Sequence, residues 1–260
     1  MTALRPLIFL FACLPVAALA VQQYGFRVTD QKPQSRENYV QGLQILDGYL
    51  YVSTGNYGKS HLLRYHFVDG GLDTARKLKP HIFAEGLTVL HDKVYQLTWH
   101  NRMMLVYNRG DLQADHWFRI PGQGWGLTDN GKELIYTDGG AQLHFISPKT
   151  QQVLRSVTVT ENGRSVKKLN ELEWVDGKIW ANIWQTDRII IIDPGTGVVS
   201  ASINLQGLLP ADERRSGTDV LNGIARDPAD GSIWVTGKHW PWLYQIELVP
   251  LPITTKPTQP

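Results

Sequence analysis

The sequence predicts an all-β fold, a five-bladed β-propeller whose last blade is closed by a strand from the N-terminus. Three observations carry that expectation. One phrase recurs five times at blade-length spacing, turn signals fall at matching places in each copy, and no window holds a sustained helical period.

The copies are QGLQILDGYLYVSTG from Gln41, EGLTVLHDKVYQLTW from Glu85, WGLTDNGKELIYTDGG from Trp125, NELEWVDGKIWANIW from Asn170 and NGIARDPADGSIWVTGK from Asn222. Each has a variable first residue, usually a glycine next, an aliphatic residue, a polar turn, and then a strand carrying an aromatic. Successive starts lie 44, 40, 45 and 52 residues apart, a length that holds four short strands. The runs HLLRYHF, MMLVYN, QLHFIS, RIIIID and WLYQIEL follow as third strands, and DPGTG from Asp193 to Gly197 is a strong turn signal. The fifth copy runs out after its third strand. YGFRVTD, from Tyr24 to Asp30, is the natural fourth strand, and it would close the ring and remove exposed edges.

Residues 1–20 read as a cleaved secretory signal: Arg5 in a short basic start, an apolar stretch from Leu7, and the ending Ala18, Leu19, Ala20. The stretch is too short to favour a membrane span. Residues 21–250 form the propeller domain, and 251–260 extend a proline- and threonine-rich tail expected to be disordered. The expected location is the periplasm or the outside of the cell, with no membrane attachment after cleavage. Cys13 is the sole cysteine and lies in the signal, so the mature chain offers no disulfide, thiolate metal site or cysteine nucleophile. A net charge of +2 on 260 residues, with Lys and Arg scattered, argues against nucleic acid, which asks for a concentrated basic face. The eight histidines show no metal-ligand spacing.

Equivalent positions of a propeller's blades ring its axis. The first residues of the copies, Gln41, Glu85, Trp125, Asn170 and Asn222, therefore converge near one mouth of the channel. A second ring at the end of the following strand brings Gly55, Trp99, Gly140, Trp184 and Lys238. The two rings describe a pocket with aromatic walls, a few convergent polar groups and one carboxylate kept partly dry. Trp174, Trp180 and Trp234 are assigned to structure. Asn222 suits a turn tie as well as a ligand, and Glu171 and Glu173 suit hydrogen bonds between blades.

The phrases VQGL, FAEGLT, GWGLT, LNELEWVDGKIWANIWQTDRI and LNGIARDP with WVTGKHWP closely resemble the plant and bacterial type of glutaminyl-peptide cyclotransferase, from about Tyr39 to Leu248. The resemblance implies a five-bladed propeller, an aminoacyltransferase converting N-terminal glutamine of peptides and proteins to pyroglutamate with release of ammonia. It implies no cofactor and no metal. Carried over residue by residue, it makes Glu85 the catalytic acid and base. It puts Gln41, Asn170 and Lys238 against the substrate, and Phe83, Trp99, Trp125 and Trp184 around the pocket. Blade one departs from the pattern, reading Tyr-Val before Gln41 where relatives often carry Phe-Thr. A monomer is expected. Two other classes fit parts of the pattern. A calcium-dependent propeller lactonase or hydrolase would use Glu85, Asn170 and Asn222 as oxygen ligands, and a non-catalytic peptide-binding propeller would use only the walls.

Overall fold

The structure, a computed structural model, describes residues 21–252. The expected signal lies outside the described residues, as does the tail beyond 252. The chain is all-β, and among the described residues the one helical element is the single 3-10 turn Ala211–Glu213. Three four-stranded antiparallel sheets follow the first three copies of the repeat. The first holds Val40–Leu46, Tyr49–Thr54, His61–His66 and Leu72–Lys77. The second holds Ala84–Leu90, Lys93–Thr98, Met103–Asn108 and Ala114–Arg119. The third holds Leu127–Asp129, Leu134–Tyr136, Gln142–Ile146 and Val153–Thr158. The last two copies share one eight-stranded sheet. Its first half is Leu169–Val175, Lys178–Ile183, Arg188–Ile192 and Val199–Asn204, and its second half ends in Trp242–Pro250, Ile233–Gly237 and Leu221–Arg226.

Between these halves runs the N-terminal strand, Gln22–Pro33, longer than the Tyr24 to Asp30 segment that the sequence suggested. It pairs antiparallel with the last strand, from Tyr24 against Pro250 to Pro33 against Trp242. Its first residues, Gln22 to Tyr24, also pair parallel with Ala201 to Ile203. The two chain ends thus seal one seam, which covers an edge that would otherwise be open to pairing. Leu251, the first residue of the expected tail, donates its N–H to Gln23 O at 2.9 Å.

Local chemistry explains the hairpins. Asp47 and Gly48 have φ of 50° and 77°, and Asp176 and Gly177 have 47° and 80°. Two successive left-handed residues make the tight turn whose twist matches paired strands, and Asp-Gly is well suited to it. Apolar residues pack between neighbouring sheets. Leu97, Met104 and Tyr136 form one such layer, and Ile135, Leu172 and Ile190 another.

The innermost strands meet around the axis at very short range. A Cβ on Gly86 would lie 2.5 Å from Leu127 N, and one on Gly126 would lie 1.9 Å from Asn170 O. Only glycine permits that approach. The fourth copy breaks the pattern by placing Glu171 where the others have Gly42, Gly86, Gly126 and Gly223. Its fully buried carboxylate accepts the N–H of Ile224 at 2.8 Å and of Leu43 at 3.3 Å, tying three innermost strands together. Glu173 similarly accepts the N–H of Arg226 at 2.8 Å.

Candidate active site

Four of the innermost strands carry a register irregularity at the repeat's first residues: between Val40 and Gly42, Ala84 and Leu87, Leu169 and Leu172, and Leu221 and Ile224. Such an irregularity leaves a residue out of the ladder and re-aims its side chain. Here the residues re-aimed are Gln41, Glu85, Asn170 and Asn222. A shared backbone bond fixes the second ring. Gly55, Trp99, Trp184 and Lys238 donate their N–H groups to the carbonyls of Tyr39, Phe83, Lys168 and Val220, each two residues before a first-ring residue.

These two rings enclose a cavity of about 200 Å³ lined by Tyr39, Gln41, Phe83, Glu85, Trp99, Trp125, Asn170, Trp184 and Lys238. All eight site residues expected from the sequence lie on it, together with Tyr39. The aromatic wall is continuous in two pairs: Phe83 meets Trp99 edge-on at 5.4 Å, and Trp125 meets Trp184 edge-on at 5.4 Å. Tyr39 stands edge-on to Phe83 at 6.2 Å.

Glu85 is 5% exposed and Lys238 3%. Burial pushes the Glu85 carboxyl well above the usual carboxylate range, while the nearby Lys238 ammonium pulls it back. Burial pushes Lys238 down, and the charges of Glu85 and Asp219 oppose that. No hydrogen bond to either charged group is formed among the described residues, so both are available to a bound molecule. The two are nevertheless coupled, because each stabilises the other's ionised form in a dry site. Lys238 Nζ also lies 4.5 Å from the centre of the Tyr39 ring, an attractive cation–π placement. Tyr39 donates its hydroxyl to Asp219 Oδ2 at 3.1 Å.

Asn222 does not line the cavity. It sits behind Gln41, donating Nδ2 to Val40 O at 2.9 Å and to Gln41 Oε1 at 3.2 Å. It ties its own strand to the innermost strand of the first sheet, Val40–Leu46, and its bond to Gln41 leaves the Gln41 Nε2 group free to donate. Gly140 is corrected too. Gly139 is the glycine against the Trp125 ring, where a Cβ would come within 2.7 Å, because the third copy keeps the fourteen-residue offset that separates Glu85 from Trp99. Gly55 does border the site, beneath Phe83 and Gln41. Among the described residues, no group of three His, Cys, Asp or Glu side chains has metal-binding geometry.

Two contributors escaped the sequence reading, Tyr39 and Gln123. Gln123 Oε1 accepts Trp99 Nε1 at 2.7 Å and Trp125 Nε1 at 3.2 Å. Both residues stand two places before the start of a copy, the position Phe83 also holds. That shared offset was the available signal.

A family model described as glutamine cyclotransferase matches residues 7–248. The chain belongs to the glutamine cyclotransferase family. A glutaminyl-peptide cyclotransferase of Arabidopsis thaliana is 37% identical to this cyclotransferase over 227 residues, which is 85% of this chain and 70% of that relative. The crystal structure of Myxococcus xanthus glutaminyl cyclase matches it with a TM-score of 0.82 and 31% identity, over 89% of this chain and 100% of the other. The WD40 β-propeller domain of Doa1, at 11% identity and a TM-score of 0.50, covers 80% of the cyclotransferase and 63% of its own chain, and shares the fold alone.

Proposed function

We propose that this glutaminyl-peptide cyclotransferase closes its substrate's ring in the cavity around Glu85, with Glu85 as proton shuttle and without a metal. The single observation that carries the proposal is the buried Glu85 carboxylate, free of hydrogen bonds among the described residues, beside a buried ammonium on an indole-walled cavity. An ionisable group kept dry at the expense of its own solvation is characteristic of a working site.

The α-amine of an N-terminal glutamine attacks its own γ-carboxamide carbon. The new N–C bond forms as the carbonyl becomes a tetrahedral oxyanion, and the C–N bond to the departing nitrogen then breaks. One proton moves from the attacking amine to Glu85 and from Glu85 to the leaving nitrogen, so pyroglutamate and ammonia are released in balance. The indole walls hold the side chain folded back, which supplies the high effective concentration of an intramolecular attack. Gln41 Nε2, the Asn170 side-chain amide and the Lys238 ammonium supply donors for the developing oxyanion.

The calcium alternative fits less well. Asn222 does not line the cavity, and the Lys238 ammonium that does line it repels a cation. We further read the sheets as five blades, the eight-stranded sheet being two blades joined through Gln22–Pro33. The likeness to a WD40 propeller domain supports the propeller fold. The signal-like segment of residues 1–20 supports a periplasmic or secreted location, and we read the protein as a monomer.

The test is ammonia release by the purified protein from dipeptides beginning with glutamine, asparagine or acetylated glutamine, with and without chelator. Only the first should react, and chelation should leave its rate unchanged. Turnover of the acetylated peptide, or a loss restored by calcium or zinc, would contradict the mechanism.

A further inference from the structure

The cavity's aromatic walls come in two pairs, Phe83 with Trp99 and Trp125 with Trp184, contributed by different sheets. Gln123 links them: a single carbonyl oxygen accepts the indole N–H of Trp99 at 2.7 Å and of Trp125 at 3.2 Å. An amide oxygen has two lone pairs, and an indole nitrogen can only donate, so the chemistry leaves one possible orientation for the Gln123 amide.

The backbone around Gln123 is held as firmly as its side chain. Gly122 takes φ of 72°, a left-handed turn residue. Gly124 donates its N–H to Thr98 O at 3.2 Å, and a Cβ there would lie 2.8 Å from both Thr98 O and the Leu97 side chain. The segment is therefore pressed against the end of Lys93–Thr98, the strand that leads into Trp99. Gln123 occupies the same offset from its repeat as Tyr39 and Phe83, yet it does not line the cavity. It reaches the cavity through the two indoles.

We propose that Gln123 is a positioning residue for the cyclisation, setting the separation and tilt of the Trp99 and Trp125 rings between which the glutamine side chain folds back. This rests on the reading that the cavity is the reaction site. Ring closure depends on how often the bound chain holds its amine against its amide, so loosening a wall lowers the rate of the chemical step more than it weakens binding. Removing the shared acceptor also leaves two indole donors without their partner, which favours rotation of both rings.

Gln123→Leu removes the acceptor at similar volume, and Gln123→Glu keeps an acceptor of the same reach. The two would be compared by steady-state kinetics on a glutamine-leading dipeptide and by the indole N–H resonances of 15N-tryptophan-labelled protein, assigned with Trp99→Phe and Trp125→Phe. Gln123→Leu should lower kcat at least about tenfold with KM changed less than about threefold, and Gln123→Glu should restore kcat to within about threefold of the parent. The Trp99 and Trp125 resonances alone should move in Gln123→Leu and stay near their parent positions in Gln123→Glu. If Gln123→Leu fails to fold, Gln123→Met makes the same comparison. Retention of kcat within about twofold, indole signals that do not move, or a Gln123→Glu protein as impaired as Gln123→Leu would each overturn the proposal. The resonances report the link independently of turnover, so an error in assigning the reaction to this cavity would show separately, as an active Glu85→Gln protein.

Discussion

Asn222 donates its side-chain amide to Gln41 Oε1 across 3.2 Å, so a residue outside the cavity decides which end of Gln41 faces into it. With the oxygen occupied, Gln41 presents only a donor. A donor is what the oxyanion of ring closure requires.

Asn222→Asp should reverse that presentation. A carboxylate in place of the amide would attract the Gln41 NH2 group and turn its oxygen toward the cavity. We expect kcat to fall by about ten- to a hundredfold, comparable to Gln41→Leu, with the double variant no worse than either single one. Additive losses would mean that Asn222 acts by some route other than Gln41.

Lys238 should govern the pH profile. Its ammonium lowers the Glu85 pKa against the effect of burial. In Lys238→Met burial acts unopposed, so Glu85 stays protonated to higher pH and the rising limb of kcat/KM moves upward. Burial lowers the Lys238 pKa itself, so the parent should also lose activity at alkaline pH, and the variant should lack that limb. A rising limb that stays in place in Lys238→Met would uncouple the two residues.

Glu171 should matter to stability and not to turnover. Both of its oxygens already accept backbone N–H groups. In Glu171→Gln one N–H would face an amide NH2 group, at a cost of about 1–3 kcal/mol. Melting temperature should drop while kcat stays within about threefold of the parent. A large loss of kcat in a folded variant would place Glu171 in the chemistry.

Glu173 should make the protein less stable as the medium turns alkaline. Burial pushes its carboxyl up to about 8, whereas an unfolded glutamate titrates near 4.3. Between those values the folded chain binds more protons than the unfolded one, so unfolding free energy falls as pH rises through this window. Thermal melts should give a lower Tm at pH 8 than at pH 6, and Glu173→Gln should reduce the difference, the part that remains coming from Glu171 and Glu85, whose carboxyls burial also raises. A parent Tm that rises over that interval would contradict the shift.

The repeat was legible because hairpin turns demand particular residues: Asp47-Gly48 and Asp176-Gly177 mark copies of one unit. The rings were legible because five copies place equivalent residues around one axis, and this brought Glu85 beside Trp99, Asn170 and Lys238. Tyr39 and Gln123 were not legible, because they precede the recurring phrase and are unlike each other and unlike Phe83. The one signal was their shared offset, two places before the start of a copy, which for Tyr39 and Phe83 the backbone bonds from Gly55 and Trp99 bear out. Whether Asn222 faces the cavity or ties two innermost strands together likewise depends on where the irregularity in its strand aims the side chain, which composition does not encode. Glu171 and Glu173 were legible as suited to hydrogen bonds between blades, but not which groups they meet, since the two N–H partners of Glu171 lie 128 and 53 residues away in the chain.

The most direct measurement is the turnover of Glu85→Gln on a glutamine-leading dipeptide, made on protein whose circular dichroism and Tm match the parent. The substitution keeps the side chain's size and removes its ability to take and return a proton, a function worth about a hundred- to ten-thousand-fold in rate. The account predicts a loss of kcat in that range. A folded Glu85→Gln protein retaining more than about a tenth of the parent kcat would contradict it.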